Sequence, residues 1–158
     1  MFYKIDVMRL LIVILTAGFF LMSCNTLDVF EKSTNFSAHE WKASDKPLFD
    51  FKITDTTALY DIYFVIRHED AYHYKNIWLN VSVKDPDSAY TIKREFVLAD
   101  NTKWLGTGMD DIIEQRLLFN ASPIHLKKGN YHFTLQQVMR EDPLLSILSA
   151  GVRVEKVK

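Results

Sequence analysis

Cys24 is the one cysteine of the 158-residue chain, and it directly follows Leu21-Met22-Ser23 at the end of an apolar run. The chemistry that suits such a thiol is lipid attachment. Met1 to Arg9 carries Lys4 and Arg9 against Asp6, and Leu10 to Met22 is thirteen apolar or small residues. A helix of that length rises about 20 Å, short of the roughly 30 Å hydrocarbon core. A basic start, a short apolar stretch and a small residue before a cut make a secretory signal. Leu21-Met22-Ser23-Cys24 reads as a bacterial lipobox with a less usual Met at its second position. Cys24 then becomes the mature N-terminus, diacylated on sulfur and acylated on nitrogen. Two or more acyl chains anchor stably where one binds marginally. A single exported cysteine also has no disulfide partner. The alternative is an uncleaved anchor helix with an incidental cysteine, which the short span disfavours.

Other constellations are weaker. His68-Glu69-Asp70-Ala71-Tyr72-His73 invites metal, but its histidines are five apart and not the H-E-x-x-H spacing that puts two on one helix face. A polar loop with aromatic ends is the plainer reading. Glu69-Asp70, Asp110-Asp111 and Glu141-Asp142 lack an EF-hand loop and read as solvated turns. Trp41, Tyr72, Tyr74, Trp78 and Trp104 fall near strand ends or loops, where ring faces suit a glycan. Core edges are the competing reading for such rings. Arg140, between Met139 and Glu141-Asp142-Pro143-Leu144, offers a bidentate fork beside apolar residues, a mix found at interface hot spots. Its alternative is a local fork to a neighbouring acid. The candidate interaction surface is therefore Arg140, Glu141, Asp142, Tyr72, Tyr74 and Trp104. Asp55-Thr56-Thr57 and Asp87-Ser88-Ala89 match a short bacterial O-glycosylation pattern in loops.

Strands must position these residues. Phe49, Phe51 and Ile53 alternate with Asp50, Lys52 and Thr54, which is period two. Leu59–His68 has apolar residues on both faces and reads as a central strand. Ile77–Lys84, Tyr90–Ala99, Asp111–Phe119, Asn130–Met139 and Gly151–Val157 follow. Lys84-Asp85-Pro86-Asp87-Ser88, Gly106-Thr107-Gly108 and Lys127-Lys128-Gly129-Asn130 supply turn chemistry. This spacing predicts an all-β, antiparallel β-sandwich, Ig-like or jelly-roll-like, of about seven to eight strands. One short helix is expected before the last strand, with Asp142 as N-cap, Pro143 as first residue and Gly151 as stop.

Residues 1–23 are read as signal peptide, 24–46 as lipidated tether with a candidate first strand at Thr26–Lys32, and 47–158 as the sandwich domain. Removing 1–23 leaves 135 residues and, with Lys4, Arg9 and Asp6 gone, takes the net charge from −1 to −2. That length buries a real core without disulfides. The balance argues against nucleic acid, which needs a basic footprint, and against a polybasic grip on lipid. No motif asks for a cofactor or catalytic group, and a small-molecule ligand is not expected.

The signal ending in Ser23-Cys24, Phe49–His68 (FDFKITDTTALYDIYFVIRH), Tyr72–Leu79 (YHYKNIWL), Leu98–Gly108 (LADNTKWLGTG) and Gly129–Leu144 (GNYHFTLQQVMREDPL) follow one another in order. Together these stretches resemble the gliding-motility lipoprotein GldH family. His73 stands where the family pattern has Pro, and LLSILSAG replaces a more Gly-rich form. The resemblance implies a non-enzymatic cell-envelope protein needed for gliding. It would work beside other motility lipoproteins and the type IX secretion machinery, although relatives that do not glide share the family. Asn25-Thr26-Leu27-Asp28 after Cys24 lacks the acidic run that resembles a surface-export signal in such bacteria. The periplasmic face of the outer membrane is the expected location. An outer-membrane glycan- or peptidoglycan-binding module is the alternative.

Overall fold

The computed structural model describes residues 29–157. The signal reading at 1–23 and lipidation at Cys24 lie outside them. Among the described residues there are twelve strands and one 3-10 turn at Ser37–His39.

Apolar alternation builds the strands. β1 is Val29–Asn35, β2 Glu40–Trp41, β3 Leu48–Ile53, β4 Leu59–Glu69, β5 Asn76–Lys84 and β6 Ala89–Val97. β7 is Thr107–Met109, β8 Ile112–Leu118, β9 Ile124–His125, β10 Gly129–Gln137, β11 Leu144–Leu145 and β12 Ile147–Lys156. One sheet runs β1-β12-β4-β8-β7, with β9 paired to the start of β4. The second runs β3-β10-β5-β6, and β2 pairs β11 in a short ribbon. All pairings are antiparallel.

The two main sheets face each other through aromatic contacts. Phe30 meets Phe51 at 5.2 Å, Phe64 meets Phe96 at 5.0 Å and Phe119 meets Phe133 at 6.1 Å between ring centroids. In β3 only Phe49, Phe51 and Ile53 are buried, as their alternation requires. Each such side chain contributes about 1.5–3 kcal/mol on burial. β4 is central, with β12 on one side and β8 on the other.

The all-β antiparallel expectation holds. The seven strands read from sequence are β3, β4, β5, β6, β8, β10 and β12. The surplus is β1 plus four elements of two or three residues. β1 takes up part of the candidate first strand and pairs with β12 over seven residues, so 29–35 is sheet. Thr26, Leu27 and Asp28 lie outside the described residues.

The short helix expected over Asp142–Gly151 is not there. The apolar spacing Leu144, Ile147, Leu148 suits a helix, but two different partners bury the first two residues. Leu144 pairs with Trp41 in the ribbon, and Ile147 pairs with His68. Ser146 between them has φ 61, outside the helical region. β12 therefore starts at Ile147, and Gly151 sits inside it rather than ending a helix.

Three turns share one device. Asp55 Oδ1 accepts from the Thr57 and Ala58 amides, Asp85 Oδ1 from Asp87 and Ser88, and Asp100 Oδ1 from Thr102 and Lys103. These are Asx turns, in which the carboxylate replaces a backbone acceptor. In all three the hydrogen bonds hold the aspartate below its ordinary pKa.

The outer face of the first sheet carries an ion lattice. Arg116 on β8 reaches across β4 and β12 to Glu31 on β1, donating through Nε at 3.1 Å and Nη2 at 3.0 Å. Arg153 also donates to Glu31, at 2.7 Å, and to Glu155. Arg116 and then burial lead the influences on Glu31, whose carboxyl is held below its usual range.

Candidate functional site

The outer face of the second sheet is built by the alternate residues of β5 that point away from the core. Ile77, Leu79, Val81 and Val83 are buried, which turns Asn76, Trp78, Asn80 and Ser82 outward. A groove of about 410 Å3 opens there. Tyr74, Asn76 and Trp78 form its floor, Lys93 of β6 one wall, and Val138, Met139 and Arg140 the other.

Local contacts fix each wall. The Val138 amide donates to the Trp78 carbonyl at 2.9 Å, extending β10 alongside β5. The Trp78 amide in turn meets Met139 sulfur at 3.2 Å. Gln137, fully buried, accepts the Met139 amide at 2.8 Å through Oε1 and donates to the Glu141 carbonyl at 3.2 Å. These bonds hold the backbone on both sides of Arg140. Lys93 Nζ stands 5.3 Å from the Trp78 ring centroid, a cation–π distance. Asn76 donates to Glu95 at 2.5 Å. Tyr74 has a raised pKa, from burial first and then from its hydrogen bond to Glu141.

Arg140 is exposed, and no hydrogen bond or ion pair within the described residues engages its guanidinium. The acids beside it are engaged elsewhere: Glu141 by Tyr74, and Asp142 by the Ala43 amide at 2.8 Å. The local fork is therefore not made. Arg140→Ala is expected to leave stability within about 0.5 kcal/mol of wild type, as for a surface side chain without partners. Urea unfolding checks this.

The structure brings Arg140, Glu141 and Tyr74 together, packs Tyr72 edge-on against Tyr74 at 5.7 Å between ring centroids, and sets Trp104 beyond Tyr72 at 6.3 Å. Tyr72 is buried, its hydroxyl donates to the Asn76 carbonyl at 3.0 Å, and burial raises its pKa. Trp104 is half-buried, donates to Asp70 at 2.6 Å and sets its ring at 4.5 Å from buried His68. Both rings pack around His68, and with Tyr74 they line a second groove of about 520 Å3. Trp41 is fully buried as well. Asp142 is exposed and braces the Lys42–Ser44 stretch.

Sequence reasoning left Lys93 and Asn76 out altogether, and kept Trp78 among the glycan-facing rings but not in the interaction surface. The signal was present for Trp78: a large ring between Asn76 and Asn80 on the wet side of a period-two strand. For Lys93 only the β5–β6 register, Asn80 opposite Lys93, supplies the link. His68 and His73 do not converge, since His68 points into the core and His73 is exposed. Among the described residues, no three His, Cys, Asp or Glu side chains are placed to hold a metal. Thr56 and Ser88 are exposed in turns, and the Ser88 hydroxyl donates to Asp85 at 2.7 Å.

The arrangement offers a cation without a partner, a second cation over a ring, a thioether and two aromatic side chains. It contains no nucleophile–base pair. It can bind, with Arg140 and Trp78 in the roles that dominate protein interfaces.

Comparison with known proteins gives a consistent picture. The family described as GldH lipoprotein matches residues 28–154. A "Gliding motility lipoprotein GldH homolog" from Christiangramia forsetii is 29% identical over 144 residues, covering 85% of this chain and 87% of that protein. "Gliding motility lipoprotein GldH" from Flavobacterium johnsoniae is 25% identical over 154 residues, covering 91% and 94%.

Proposed function

Given that the chain belongs to the GldH lipoprotein family, we propose that it is a lipid-anchored, non-catalytic interaction module needed for gliding. Cys24 carries the acyl chains, and the sandwich faces the periplasm from the outer membrane. Its partners are other motility lipoproteins and the type IX secretion machinery. The observation that carries the interaction role is Arg140: an exposed guanidinium without a local acid, fixed by backbone bonds at the rim of a groove with Trp78, Tyr74 and Met139. Arginine and tryptophan at the centre of a desolvated patch are the residues whose truncation costs binding most.

The test is a clean gene deletion complemented with wild type, Cys24→Ala or Arg140→Ala, scored for gliding and for secreted protein. Loss of both, rescued by wild type and not by Cys24→Ala, is the expected result for the anchor. Arg140→Ala should accumulate normally and yet rescue poorly. Unchanged gliding and secretion after deletion would overturn the reading. Glycan binding would then lead, resting on the ring faces of Tyr74 and Trp78, and saturable sugar binding lost in Tyr74→Ala would support it. Protease treatment of intact cells checks the orientation: a domain facing the periplasm survives it.

A further inference from the structure

β6 ends the second sheet, and among the described residues its only strand neighbour is β5. The Leu98 amide donates to the Lys75 carbonyl at 2.7 Å, one step beyond the Asn76–Val97 pair. Hydrogen-bonded and non-bonded pairs alternate along an antiparallel ladder. Tyr90, Ile92, Arg94 and Phe96 therefore bond to β5, while Thr91, Lys93, Glu95 and Val97 turn their amides and carbonyls outward. No backbone bond outside the strands takes these groups up among the described residues. The edge is also unusually apolar, with Tyr90 45%, Ile92 42% and Val97 52% exposed. Such an edge is a template for another strand.

We propose that the strand it accepts is β6 of a second copy of this chain, paired antiparallel about a two-fold axis at Arg94. The charge pattern selects this partner and this register. About Arg94, Lys93 lies opposite Glu95 of the second copy, and Glu95 opposite its Lys93. Thr91 meets Val97 at both ends. On the inner face Ile92 meets Phe96, covering apolar surface that the monomer leaves wet. Moving the axis to Lys93 sets lysine against lysine, and moving it to Glu95 sets glutamate against glutamate. Like charges directly opposite are destabilising.

The residue on the axis is the one that could object, and its side chain is held in its own protomer. The Arg94 guanidinium donates to the Phe119 carbonyl and lies 5.3 Å from the Phe119 ring and 5.6 Å from the Phe96 ring. Two arginines meet as backbone while their charges turn away. Glu95 keeps its Asn76 bond and has acceptor capacity left for a lysine. A two-fold interface of this kind is isologous and closed, so it stops at a dimer. It joins two four-stranded sheets into one of eight strands. A shared membrane raises the effective concentration that so small an interface needs.

Disulfide trapping of the full-length chain in its own envelope tests the register. Two tagged copies are co-expressed, one with Thr91→Cys and one with Val97→Cys, both at exposed positions. Opposite residues of a hydrogen-bonded pair have Cα atoms about 5.5 Å apart, within the disulfide range of about 4.4–6.8 Å. Mild oxidation should give a mixed dimer on a non-reducing gel. Thr91→Cys alone, and Asp50→Cys on the β3 edge, should each give several-fold less. Adding Lys93→Glu to both copies should suppress the mixed dimer, and adding Glu95→Lys as well should restore it. Linkage no greater than the Asp50→Cys control would overturn the proposal. So would linkage indifferent to the charge changes. Loss of gliding in Thr91→Pro without copy-to-copy linkage would assign the edge to a foreign strand and also overturn it.

Discussion

Gly151→Ala is expected to destabilise the fold by about 3 kcal/mol, at the upper end of overpacking costs. A Cβ at Gly151 would lie 2.9 Å from Ser33 Cα and closer still to the Lys32 carbonyl and Ser33 Oγ. Two of those three atoms are backbone and cannot swing aside. Gly151 pairs with Ser33 on one side and Val65 on the other, so it sits mid-ladder between β1 and β4. To admit the methyl, β1 must lift from β12. That separation would also stretch the Arg116 and Arg153 bonds to Glu31, which tie β1 to the rest of the sheet. A domain of this size has only about 5–15 kcal/mol in total, so the loss is a large share. Gly108 is the control, since its nearest neighbour would be the Ile112 carbonyl at 3.2 Å on a three-residue edge strand. Gly108→Ala should cost about 1 kcal/mol or less. Urea midpoints give the ranking, and amide exchange should show protection of β1 falling first in Gly151→Ala. Equal midpoints for the two variants would refute the close-approach argument.

Gly151 also marks where sequence reading stops working. In Asp142–Gly151, apolar residues three and four apart followed by glycine fit a capped helix. What decides against it is non-local: Trp41 takes Leu144, His68 takes Ile147, and residues 32–33 press on Gly151. Nothing within ten residues carries that information. β3, by contrast, was legible because its alternation Phe49, Phe51, Ile53 is set by one buried face of one sheet. The short strands β7 and β9 exist only by pairing with the longer β8 and β4, and β2 and β11 only by pairing with each other, so no local pattern announces them.

The candidate surface divides the same way. Arg140 was legible from its neighbours, since a charged fork beside Met, Pro and Leu is an unusual local mix. Tyr72 and Trp104 were not, because their fate depends on His68, which looked like one end of a polar loop. Leu59–Glu69 runs its alternation to the end, so His68 falls on the inner face with Ile66 and Phe64. Extending the period by two residues past Ile66 would have placed the imidazole in the core. Trp78 was read as a ring for a glycan and left out of the interaction surface, although its outward position on β5 sets it beside Arg140 in one groove.

Burial of His68 leads to the last expected result: stability that falls as pH drops below about 6.5, and a His68→Phe variant in which that fall is smaller. His68 is fully buried. Its Nδ1 is 2.8 Å from the Glu69 carbonyl, which can only accept, so Nδ1 carries the proton. Nε2 is then the acceptor for the Gln115 amide at 3.2 Å, whose other hydrogen goes to the Leu98 carbonyl at 2.9 Å. Gln115, only 3% exposed, is itself enclosed, and its Oε1 has no partner among the described residues. A proton on Nε2 would face a donor, in a pocket closed by Tyr72 at 5.5 Å and Trp104 at 4.5 Å. Desolvation therefore holds His68 below its ordinary pKa of 6.5, against smaller opposing influences from the Glu69 carbonyl and Asp70. In the unfolded chain the same imidazole takes up its proton near 6.5. Below that pH the unfolded state binds more protons than the folded one, so stability falls with pH, by at most about 1.4 kcal/mol per unit from this one group. Above it both states are neutral and the contribution is complete. Phenylalanine keeps the ring between Tyr72 and Trp104 but strands one Gln115 hydrogen and leaves the Glu69 carbonyl with the Tyr72 amide alone, so His68→Phe should start about 1–2 kcal/mol lower. Its unfolding free energy should then change less between about pH 5 and 6.5 than that of wild type. The other four histidines are common to both proteins, so the difference between the two curves isolates this site. Parallel curves would mean that His68 takes up its proton in the fold as readily as in the unfolded chain, and the tautomer assignment and the Gln115 bond would both have to be withdrawn.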